Sequence, residues 1–584
     1  MASRRPSTPR TQDFDREFRA QMAQMTAGLA PTAFTTAWAD WAMHLALSPA
    51  RRAELRQQSL ECANDTWAFV LRALGGAPLA PSDGLPDTGE KPDRRFQAEP
   101  WSQFPFNVYA RAYQNNVALM KSALHDVDGV SDSHAQLLEF AVRLLLDATS
   151  PSNTLATNPE LLALTKAEQG QNLVRGLQNL AEDVKRLLEG QPPAGTENFE
   201  LGKVVAATPG KVVLRNALIE LIQYTPTTKT VCAEPVLIVP AWIMKYYILD
   251  LSARNSLVKY LVDQGHTVFM VSWKNPGEDD RNLGMDDYVE LGFRAAVDAV
   301  SAIVPKRKMH AVGYCIGGTL LSIGAATLAR DRDERLASLT MFAAQTDFSE
   351  PGELAYFINP SQLATLEATM SKKGVLDSRQ MGGAFVLLRA PDLLWQPIID
   401  QYVKGKREAM IDLMAWNADG TRMPWRMHTE YLYRLYLDNE LAGNRFPVNG
   451  KLIRLSDIRV PMFVVGTETD HVAPWKSVYK VDNLVRSDDL TFLLTSGGHN
   501  AGIVAGPVHP KRHYRMRTRR LVDPHLAPDD WLAAAKKHEG SWWPAWQRWL
   551  ASHSGAQVKP PAMGAAKSGL PVLGDAPGDY VRQR

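Results

Sequence analysis

One cysteine of this sequence stands in a motif that suits a nucleophile. It is Cys315, in the turn Gly313-Tyr314-Cys315-Ile316-Gly317, between an apolar run and a stretch of small residues. This pattern is typical of a strained strand-to-helix turn that presents a nucleophile. The glycines leave room for the neighbouring strand and helix, and the positive end of the following helix favours the thiolate. We therefore predict a thiol nucleophile; the alternative is a glycine-rich turn with a buried structural cysteine.

Two later segments supply an acid and a base. VPMFVVGTETDHVAP places Asp470 just after an apolar run, and LTFLLTSGGHNAG places His499 just after the next one. The order nucleophile, acid, histidine is that of the α/β-hydrolase fold. We predict that His499 takes the proton of the thiol or of an attacking hydroxyl, and that Asp470 orients the imidazole and stabilises its cation. Three alternatives stay open: Asp470 is only a helix N-cap, Glu468 or His471 is the working residue in its place, or His499 is only a turn residue.

A third element of such a site is the oxyanion hole. We predict that the main-chain N–H of Ile316 supplies one donor and that the loop VLIVPAWIMKYY supplies the other. Pro240 cannot donate because it has no N–H group. Ala241, Trp242 or Ile243 can donate, and we favour Ile243.

Six short apolar runs predict the sheet that holds these residues. Continuous apolar strands that alternate with helical stretches are typical of a parallel sheet covered on both faces. The runs are PVLIVP (235–240), TVFMVSW (267–273), MHAVGYC (309–315), SLTMFAA (338–344), PMFVVGT (461–467) and LTFLLTS (490–496). The predicted fold class is α/β, an α/β-hydrolase fold with a helical cap insertion, preceded by a mainly helical N-terminal domain.

Composition and the positions of Pro- and Gly-rich segments predict the domain organisation. We expect a disordered N-terminus over residues 1–12, a helical N-terminal domain over 13–195 and a catalytic domain over 200–555. A helical, aromatic interval at about 349–450 interrupts the strands and is predicted to be the cap. Residues 556–584 are predicted to be a flexible C-terminal tail.

The bulk composition limits the classes of function. Lys and Arg total 65 against 63 Asp and Glu, so the net charge of +2 gives no reason to expect nucleic acid. Three cysteines are too few for a disulfide framework, and no His/Cys cluster suggests a metal site. The N-terminus has no apolar core of a signal peptide, and no apolar run reaches the length of a membrane span. We expect a cytoplasmic protein without a metal, a nucleic-acid partner or a transmembrane segment.

Over nearly its whole length the chain resembles the class I polyhydroxyalkanoate synthases. GYCIGG (313–318) is similar to their cysteine-containing lipase box. Further similar blocks are KYYILDL (245–251), QGHTVFMVSWKNP (264–276), TDHVAPW (469–475), GSWWPAW (540–546), SPSNTLATNPE (150–160) and NLVRGLQNLAED (172–183). The chain departs from the family pattern at Met244, where we expect Asn, and at Ala241, where we expect Pro.

The resemblance implies an acyltransferase that polymerises (R)-3-hydroxyacyl-CoA, short-chain units such as 3-hydroxybutyryl, and releases coenzyme A. It implies that Cys315 is acylated, with Asp470 and His499 as its partners. No cofactor is expected, since coenzyme A is part of the substrate. The growing polyester and the surface of the polymer granule are expected partners, and a homodimer is the expected assembly.

Two weaker site predictions follow from this substrate. Trp416, in the predicted cap, is expected near the substrate, with plain packing as the alternative. Arg389 is expected to meet a phosphate of coenzyme A, with a surface ion pair as the alternative. His310 precedes the nucleophile and is predicted to be structural.

Two other functions remain open at this stage. A cysteine-dependent esterase, thioesterase or depolymerase of the same fold would use water as the acceptor. A non-catalytic granule-associated protein would rely on the helical N-terminal region, although the order of the triad argues against it. The acyl chain length, the oligomeric state, the state of the cap and the effect of Ala241 and Met244 are not decided by the sequence.

Overall fold

The computed structural model describes residues 9–26, 28–76, 78–84, 93–509 and 511–584. These residues group into two compact units. Residues 195–381 and 410–584, with the described residues up to 28, form the sheet unit; residues 29–194 and 382–409 form the helical unit. The predicted disordered segment 1–12 lies in part outside the described residues, and from Pro9 onward it is helical instead.

The α-helices are concentrated before residue 190 and between the later strands. They are α1 (Pro9–Met25), α2 (Pro31–Ala46), α3 (Pro49–Ala73), α4 (Phe106–Leu124), α5 (Asp132–Ala148), α6 (Pro159–Ala167), α7 (Gln171–Leu188), α8 (Leu257–Asp263), α9 (Met285–Asp287), α10 (Ala295–Ile303), α11 (Ile316–Arg330), α12 (Pro360–Lys373), α13 (Ser378–Leu388), α14 (Gln396–Ile398), α15 (Asp412–Asn417), α16 (Trp425–Tyr431), α17 (Trp475–Tyr479), α18 (Val481–Leu484), α19 (Pro528–Ala534) and α20 (Trp543–Ser552). None of these described helices is both long enough and apolar enough to cross a bilayer.

Among the described residues, the β-strands all follow residue 209. They are β1 (Gly210–Arg215), β2 (Ile219–Tyr224), β3 (Val231–Cys232), β4 (Val236–Val239), β5 (Val268–Trp273), β6 (Met309–Tyr314), β7 (Leu336–Phe342), β8 (Val375–Leu376), β9 (Met423–Pro424), β10 (Pro447–Val448), β11 (Lys451–Leu452), β12 (Met462–Thr467), β13 (Leu490–Thr495), β14 (His513–Arg519), β15 (Lys536–Glu539), β16 (Gln557–Val558) and β17 (Gly574–Asp575). Five of the six apolar runs of the sequence contain one of these strands in full, and the run at 338–344 overlaps β7, which begins at Leu336.

The main sheet of the sheet unit has the strand order β15-β14-β13-β12-β7-β6-β4-β5-β2-β1-β17. The six strands from β13 to β5 pair in parallel, and the strands that flank them on both sides pair antiparallel. Every residue of β4, β5, β6, β12 and β13 is buried, as expected for strands covered on both faces. The carboxyl ends of β4, β6, β12 and β13 therefore open on one edge of the sheet, and the predicted site residues follow these ends.

The helical unit includes residues 382–409, which lie within the predicted cap interval of about 349–450. On α7, Gly176 lets the chain of residues 401–403 approach closely, because an added Cβ would lie 1.9 Å from the carbonyl oxygen of Tyr402. Asn172 and Asn179 donate from the same helix to the carbonyl oxygens of Val403 and Gln401, each at 2.9 Å. Residues 382–409 are thus part of the helical unit.

Residues 556–584 are not the flexible tail that their composition predicts. In this segment β16 pairs with β3, and β17 pairs with β1 at the edge of the main sheet. The main-chain N–H of Gly564 donates to Gln223 Oε1 at 2.8 Å, and Val581 is buried. Pairing with strands more than 300 residues earlier gives this Gly- and Pro-rich segment a defined path.

Candidate active site

The turn between β6 and α11 presents Cys315 as the sequence predicts. Cys315 has φ +54°, a strained conformation that few residues other than glycine adopt, directly before the first residue of α11. A Cβ at Gly313 would lie 2.4 Å from Gly318 Cα, and one at Gly317 would lie 2.4 Å from the carbonyl oxygen of Val239. The glycines are therefore required by the close approach of strand, helix and the end of β4. Because Cys315 directly precedes α11, the positive end of the helix dipole is at the residue that carries the sulfur.

His499 and Asp470 meet at the same edge of the sheet. Nδ1 of His499 lies 2.8 Å from Asp470 Oδ2, and both side chains are shielded from solvent. The other carboxylate oxygen, Oδ1, accepts the main-chain N–H groups of Val472 and Ala473 at 2.9 and 2.8 Å. A carboxylate held by two main-chain donors has a fixed direction, so it also fixes which nitrogen of the imidazole carries the proton.

The electrostatics of His499 and Asp470 are those of an ion pair. Burial lowers the pKa of His499, but the charges of Asp470 and Cys315, and hydrogen bonds with both, raise it well above its ordinary value. Burial alone would raise the pKa of Asp470, yet the pairing with His499 and the hydrogen bond from Ala473 bring it below its ordinary value. The structure thus brings together all three residues that the sequence places in separate segments. Asp470 lies against His499, whereas Glu468 is bonded to His513 at 3.1 Å.

The loop after β4 (the oxyanion loop, residues 240–245) lies against the nucleophile turn. A Cβ at Gly317 would come within 2.5 Å of the carbonyl carbon of Pro240, so the start of α11 and the start of this loop are in contact. Ile243 is half-buried and packs with Cys315 against the same apolar core. Ile316 is the first residue of α11, where the main-chain N–H has no helical partner. Both predicted oxyanion donors are therefore beside the sulfur-bearing turn.

Family models match three parts of the chain. Residues 9–51 match the model described as "Poly-beta-hydroxybutyrate polymerase N terminal", and residues 92–261 match "Poly-beta-hydroxybutyrate polymerase (PhaC) N-terminus". Residues 234–505 match "alpha/beta hydrolase fold". The last match contains the turn of Cys315 and both of its predicted partners, and it confirms the predicted fold class.

Curated relatives match along most of the chain. "Poly(3-hydroxyalkanoate) polymerase" of Methylorubrum extorquens is 39% identical over 523 residues, which cover 89% of this chain and 84% of the relative. "Poly(3-hydroxyalkanoate) polymerase subunit PhaC" of Cupriavidus necator is 34% identical over 546 residues, which cover 92% and 89%. The chain belongs to the poly(3-hydroxyalkanoate) polymerase family. It is therefore an acyltransferase that polymerises hydroxyalkanoate units, as the resemblance implied.

Solved structures similar to this polymerase match it at low identity and low TM-score. A monoacylglycerol lipase of Paleococcus ferrophilus is 13% identical, covers 57% of this chain and 99% of its own, and has a TM-score of 0.33. The thioesterase domain from the curacin biosynthetic pathway is 17% identical, covers 50% and 94%, and has a TM-score of 0.27.

The two weaker site predictions have different contacts in this polymerase. Trp416 is buried, and its indole N–H donates to the carbonyl oxygen of Lys245 at 2.7 Å, so its side chain supports the oxyanion loop. Arg389 belongs to the helical unit and forms an ion pair with Asp392, three residues later. These contacts agree with the packing and ion-pair alternatives, and contact with the substrate or a phosphate stays a prediction.

Several residues that support the triad were not anticipated from the sequence. Thr467 Oγ1 donates to Asp470 Oδ2 at 2.7 Å, so this oxygen is shared by a hydroxyl and an imidazole. The ring of Tyr314 lies 5.6 Å from that of His499, and its hydroxyl donates to Asn500 Oδ1 at 2.5 Å. Tyr314 could have been suspected, because it adjoins the nucleophile in the motif. The role of Thr467 has no signal in the sequence, because it depends on the direction of a loop.

Two cap tyrosines stand close to the nucleophile. Tyr431 and Tyr436, one helical turn apart, have hydroxyl oxygens 3.1 Å apart. Burial raises the pKa of both phenols, and the charge of Cys315 raises it further. Both rings pack with Cys315 against the main core, and the ring of Phe348 lies 4.7 Å from that of Tyr436. The cap therefore covers the thiol with aromatic surface that carries two hydroxyl groups.

Proposed function

We propose that this polymerase transfers (R)-3-hydroxyacyl groups, short ones such as 3-hydroxybutyryl, from coenzyme A to a growing polyester through an acylated Cys315. The observation that supports it most is the 2.8 Å bond between His499 Nδ1 and Asp470 Oδ2, at the sheet edge where the strained turn presents the sulfur. An imidazole held by a buried carboxylate next to a thiol is suited to form a thiolate and to pass its proton on.

In the first step the Cys315 thiolate attacks the carbonyl carbon of the substrate thioester. A C–S bond forms, and the carbonyl oxygen becomes an oxyanion that the N–H groups of Ile316 and Ile243 stabilise. When this intermediate collapses, the bond to the sulfur of coenzyme A breaks. The imidazolium of His499 gives its proton to the departing sulfur, so coenzyme A leaves as the thiol.

In the second step the hydroxyl of another hydroxyacyl unit attacks the acyl-enzyme. His499 takes the hydroxyl proton, a C–O ester bond forms, and the C–S bond to Cys315 breaks to release the thiolate. The chain grows by one unit, and the imidazolium–thiolate pair is regenerated. Asp470 stays ionised throughout and stabilises the cation on the imidazole.

Exclusion of water favours this transfer over hydrolysis. Side chains packed with Cys315 against the main core include Leu366, Met381, Trp425 and Tyr431 from the cap region, besides Ile243. An acyl-enzyme covered by such a surface reacts with a bound hydroxyl group rather than with bulk water. A thioesterase of the same fold is the second candidate, since the triad itself serves both acceptors.

We also propose that the enzyme is cytoplasmic and acts as a homodimer on the polymer granule. The outer face of α7 supports contact with an apolar surface. It exposes Val174, Leu177, Leu187 and Leu188, with 50–82% of each residue accessible to solvent. Exposed apolar patches of this kind on a helix mark interaction sites. The proposal requires no metal or cofactor beyond the coenzyme A of the substrate.

One assay tests the proposal. Purified enzyme is given 3-hydroxybutyryl-CoA, released thiol is followed with a chromogenic disulfide, and polymer is quantified after methanolysis. Coenzyme A with insoluble polyester supports the proposal, coenzyme A with free acid supports a thioesterase, and no coenzyme A supports a non-catalytic granule protein. Cys315→Ala should abolish release, whereas Cys232→Ala, a buried cysteine outside the site, should not. Full activity of Cys315→Ala would contradict the mechanism.

A further inference from the structure

Residues 579–584 (the 579–584 segment) follow a fixed path along the sheet unit. The main-chain N–H groups of Asp579 and Tyr580 both donate to Glu220 Oε2, each at 2.9 Å, and Glu220 is fully buried on β2. The hydroxyl of Tyr580 donates to the carbonyl oxygen of Asn216 at 2.6 Å. With Val581 buried beside them, these bonds anchor the start of the segment.

Gln583 continues this path to the oxyanion loop. Its carbonyl oxygen accepts a bond from Lys245 Nζ at 2.6 Å, and its side-chain Oε1 accepts the main-chain N–H of Asn275 at 3.0 Å. Lys245 is the last residue of the oxyanion loop and is only 3% exposed. A buried ammonium group requires a hydrogen-bond partner, so the position of Lys245 depends on the carbonyl oxygen of Gln583.

The cap holds the same loop from its other side. Trp416 donates to the carbonyl oxygen of Lys245 at 2.7 Å, and Thr421 Oγ1 donates to that of Trp242 at 2.6 Å. The side chain of Asn275 joins the two supports, because its Oδ1 accepts the main-chain N–H of Arg422 at 3.0 Å. The stretch with Ile243 at its centre is thus held both by cap residues and by Gln583.

We propose that Gln583 is a positioning residue for the transfer reaction. It fixes Lys245 and Asn275, and through them it holds the N–H of Ile243 where the oxyanion forms. The inference rests on the proposed function, in which that N–H is an oxyanion donor. Such donors act only at hydrogen-bonding distance from the developing charge, and a displacement of about 1 Å far from the reacting atoms can cost about 100-fold in rate. Gln583, which lies some 340 residues after this loop in the sequence, therefore acts on the reaction through its contact with Lys245.

The test compares two substitutions of Gln583. Gln583→Leu removes the side-chain acceptor and leaves the N–H of Asn275 without it, so kcat for release of coenzyme A should fall between about 10-fold and 100-fold with KM nearly unchanged. Gln583→Glu keeps an acceptor at the same place, next to Lys245, and should restore kcat. Lys245→Met, which removes the other contact at similar side-chain length, should lower kcat in the same way. It provides a second route if Gln583→Leu does not fold.

A second readout separates positioning from a general disturbance of the site. Alkylation of Cys315 by iodoacetamide forms no oxyanion, so its rate should stay at the wild-type value in Gln583→Leu. Gln223→Leu is the matched control: its Oε1 accepts the main-chain N–H of Gly564 at 2.8 Å and holds the same C-terminal region elsewhere, so this variant should keep its kcat.

Three outcomes would overturn the inference. The inference would fail if Gln583→Leu kept the wild-type kcat. It would also fail if Gln583→Leu slowed alkylation of Cys315 as much as it slowed release of coenzyme A. Equal loss in Gln583→Glu and Gln583→Leu would also remove it. If the wild-type enzyme released no coenzyme A, both the proposed function and this inference would be overturned. If the wild type is active and only the results for the variants disagree, the inference alone fails.

Discussion

Replacing Asp470 by Asn tests the proposed acid–base pair at nearly constant volume. The carboxylate accepts four hydrogen bonds. Oδ2 accepts from His499 Nδ1 and Thr467 Oγ1, and Oδ1 accepts from the main-chain N–H groups of Val472 and Ala473. An amide has one acceptor oxygen only. The two main-chain donors keep that oxygen in the place of Oδ1, so the NH2 group faces His499.

The size of the expected loss in kcat follows from the tautomer of His499 that the new NH2 group imposes. Opposite an NH2 donor, Nδ1 of His499 must accept, so the proton moves to Nε2 on the side of Cys315. An imidazole in that form cannot take a proton from a thiol or a hydroxyl. The same substitution in serine hydrolases with this arrangement lowers kcat by about 10⁴-fold, which is about 5 kcal/mol in activation free energy. We expect a loss of that order in release of coenzyme A.

The assay includes a control that the chain itself offers. Asp482 is also buried and also lies against a histidine, with His525 Nδ1 at 2.7 Å from its Oδ2, but it stands outside the site. Asp482→Asn should lower the free energy of unfolding and leave kcat unchanged. Release of coenzyme A from 3-hydroxybutyryl-CoA and urea unfolding would be measured for both variants and the wild type.

Two results would refute the reasoning. If Asp470→Asn folds and releases coenzyme A at nearly the wild-type rate, the tautomer of His499 does not limit the reaction. If Asp482→Asn loses as much activity as Asp470→Asn, the loss reflects damage to the sheet unit and not the acid–base pair.

Three further predictions concern the turn, a buried histidine and the helical unit. Gly317→Ala should abolish release of coenzyme A and lower the free energy of unfolding by about 1–3 kcal/mol, because its Cβ would lie 2.4 Å from the carbonyl oxygen of Val239. Gly382→Ala is the control: its Cβ would have open space around it, so this variant should keep its activity and its free energy of unfolding. Burial lowers the pKa of His310 to about 3, so the stability that its neutral form contributes is present above the unfolded pKa of about 6.5 and is lost as the pH falls towards 3. Between pH 7.5 and 5, the free energy of unfolding from urea titration should fall by about 2 kcal/mol more in the wild type than in His310→Gln. Leu177→Lys, at a residue 67% exposed, should reduce co-sedimentation with polymer granules while soluble substrate is still turned over; equal sedimentation would exclude this face of α7 from granule contact.

Much of the sheet unit could be predicted because its elements depend on local sequence patterns. The buried strands are continuous apolar runs, and the turn of Cys315 needs glycines at defined positions, which the sequence contains. The contacts within the helical unit could not be predicted. Nothing in the sequence indicates that Gly176 contacts Tyr402, or that residues 382–409 join the N-terminal helices in one unit.

The sequence alone determined three things. They are the order of the nucleophile, the acid and the histidine, the strands that precede these residues, and the resemblance to a polymerase family. Tertiary structure decided which side chains meet. Among the neighbours Glu468, Asp470 and His471, the main-chain N–H groups of the loop turn Asp470 towards His499. Only the folded chain brings Gln583 to the oxyanion loop. The physical reason is that burial and periodicity are properties of neighbouring residues, whereas a hydrogen bond between distant segments depends on how the whole sheet pairs.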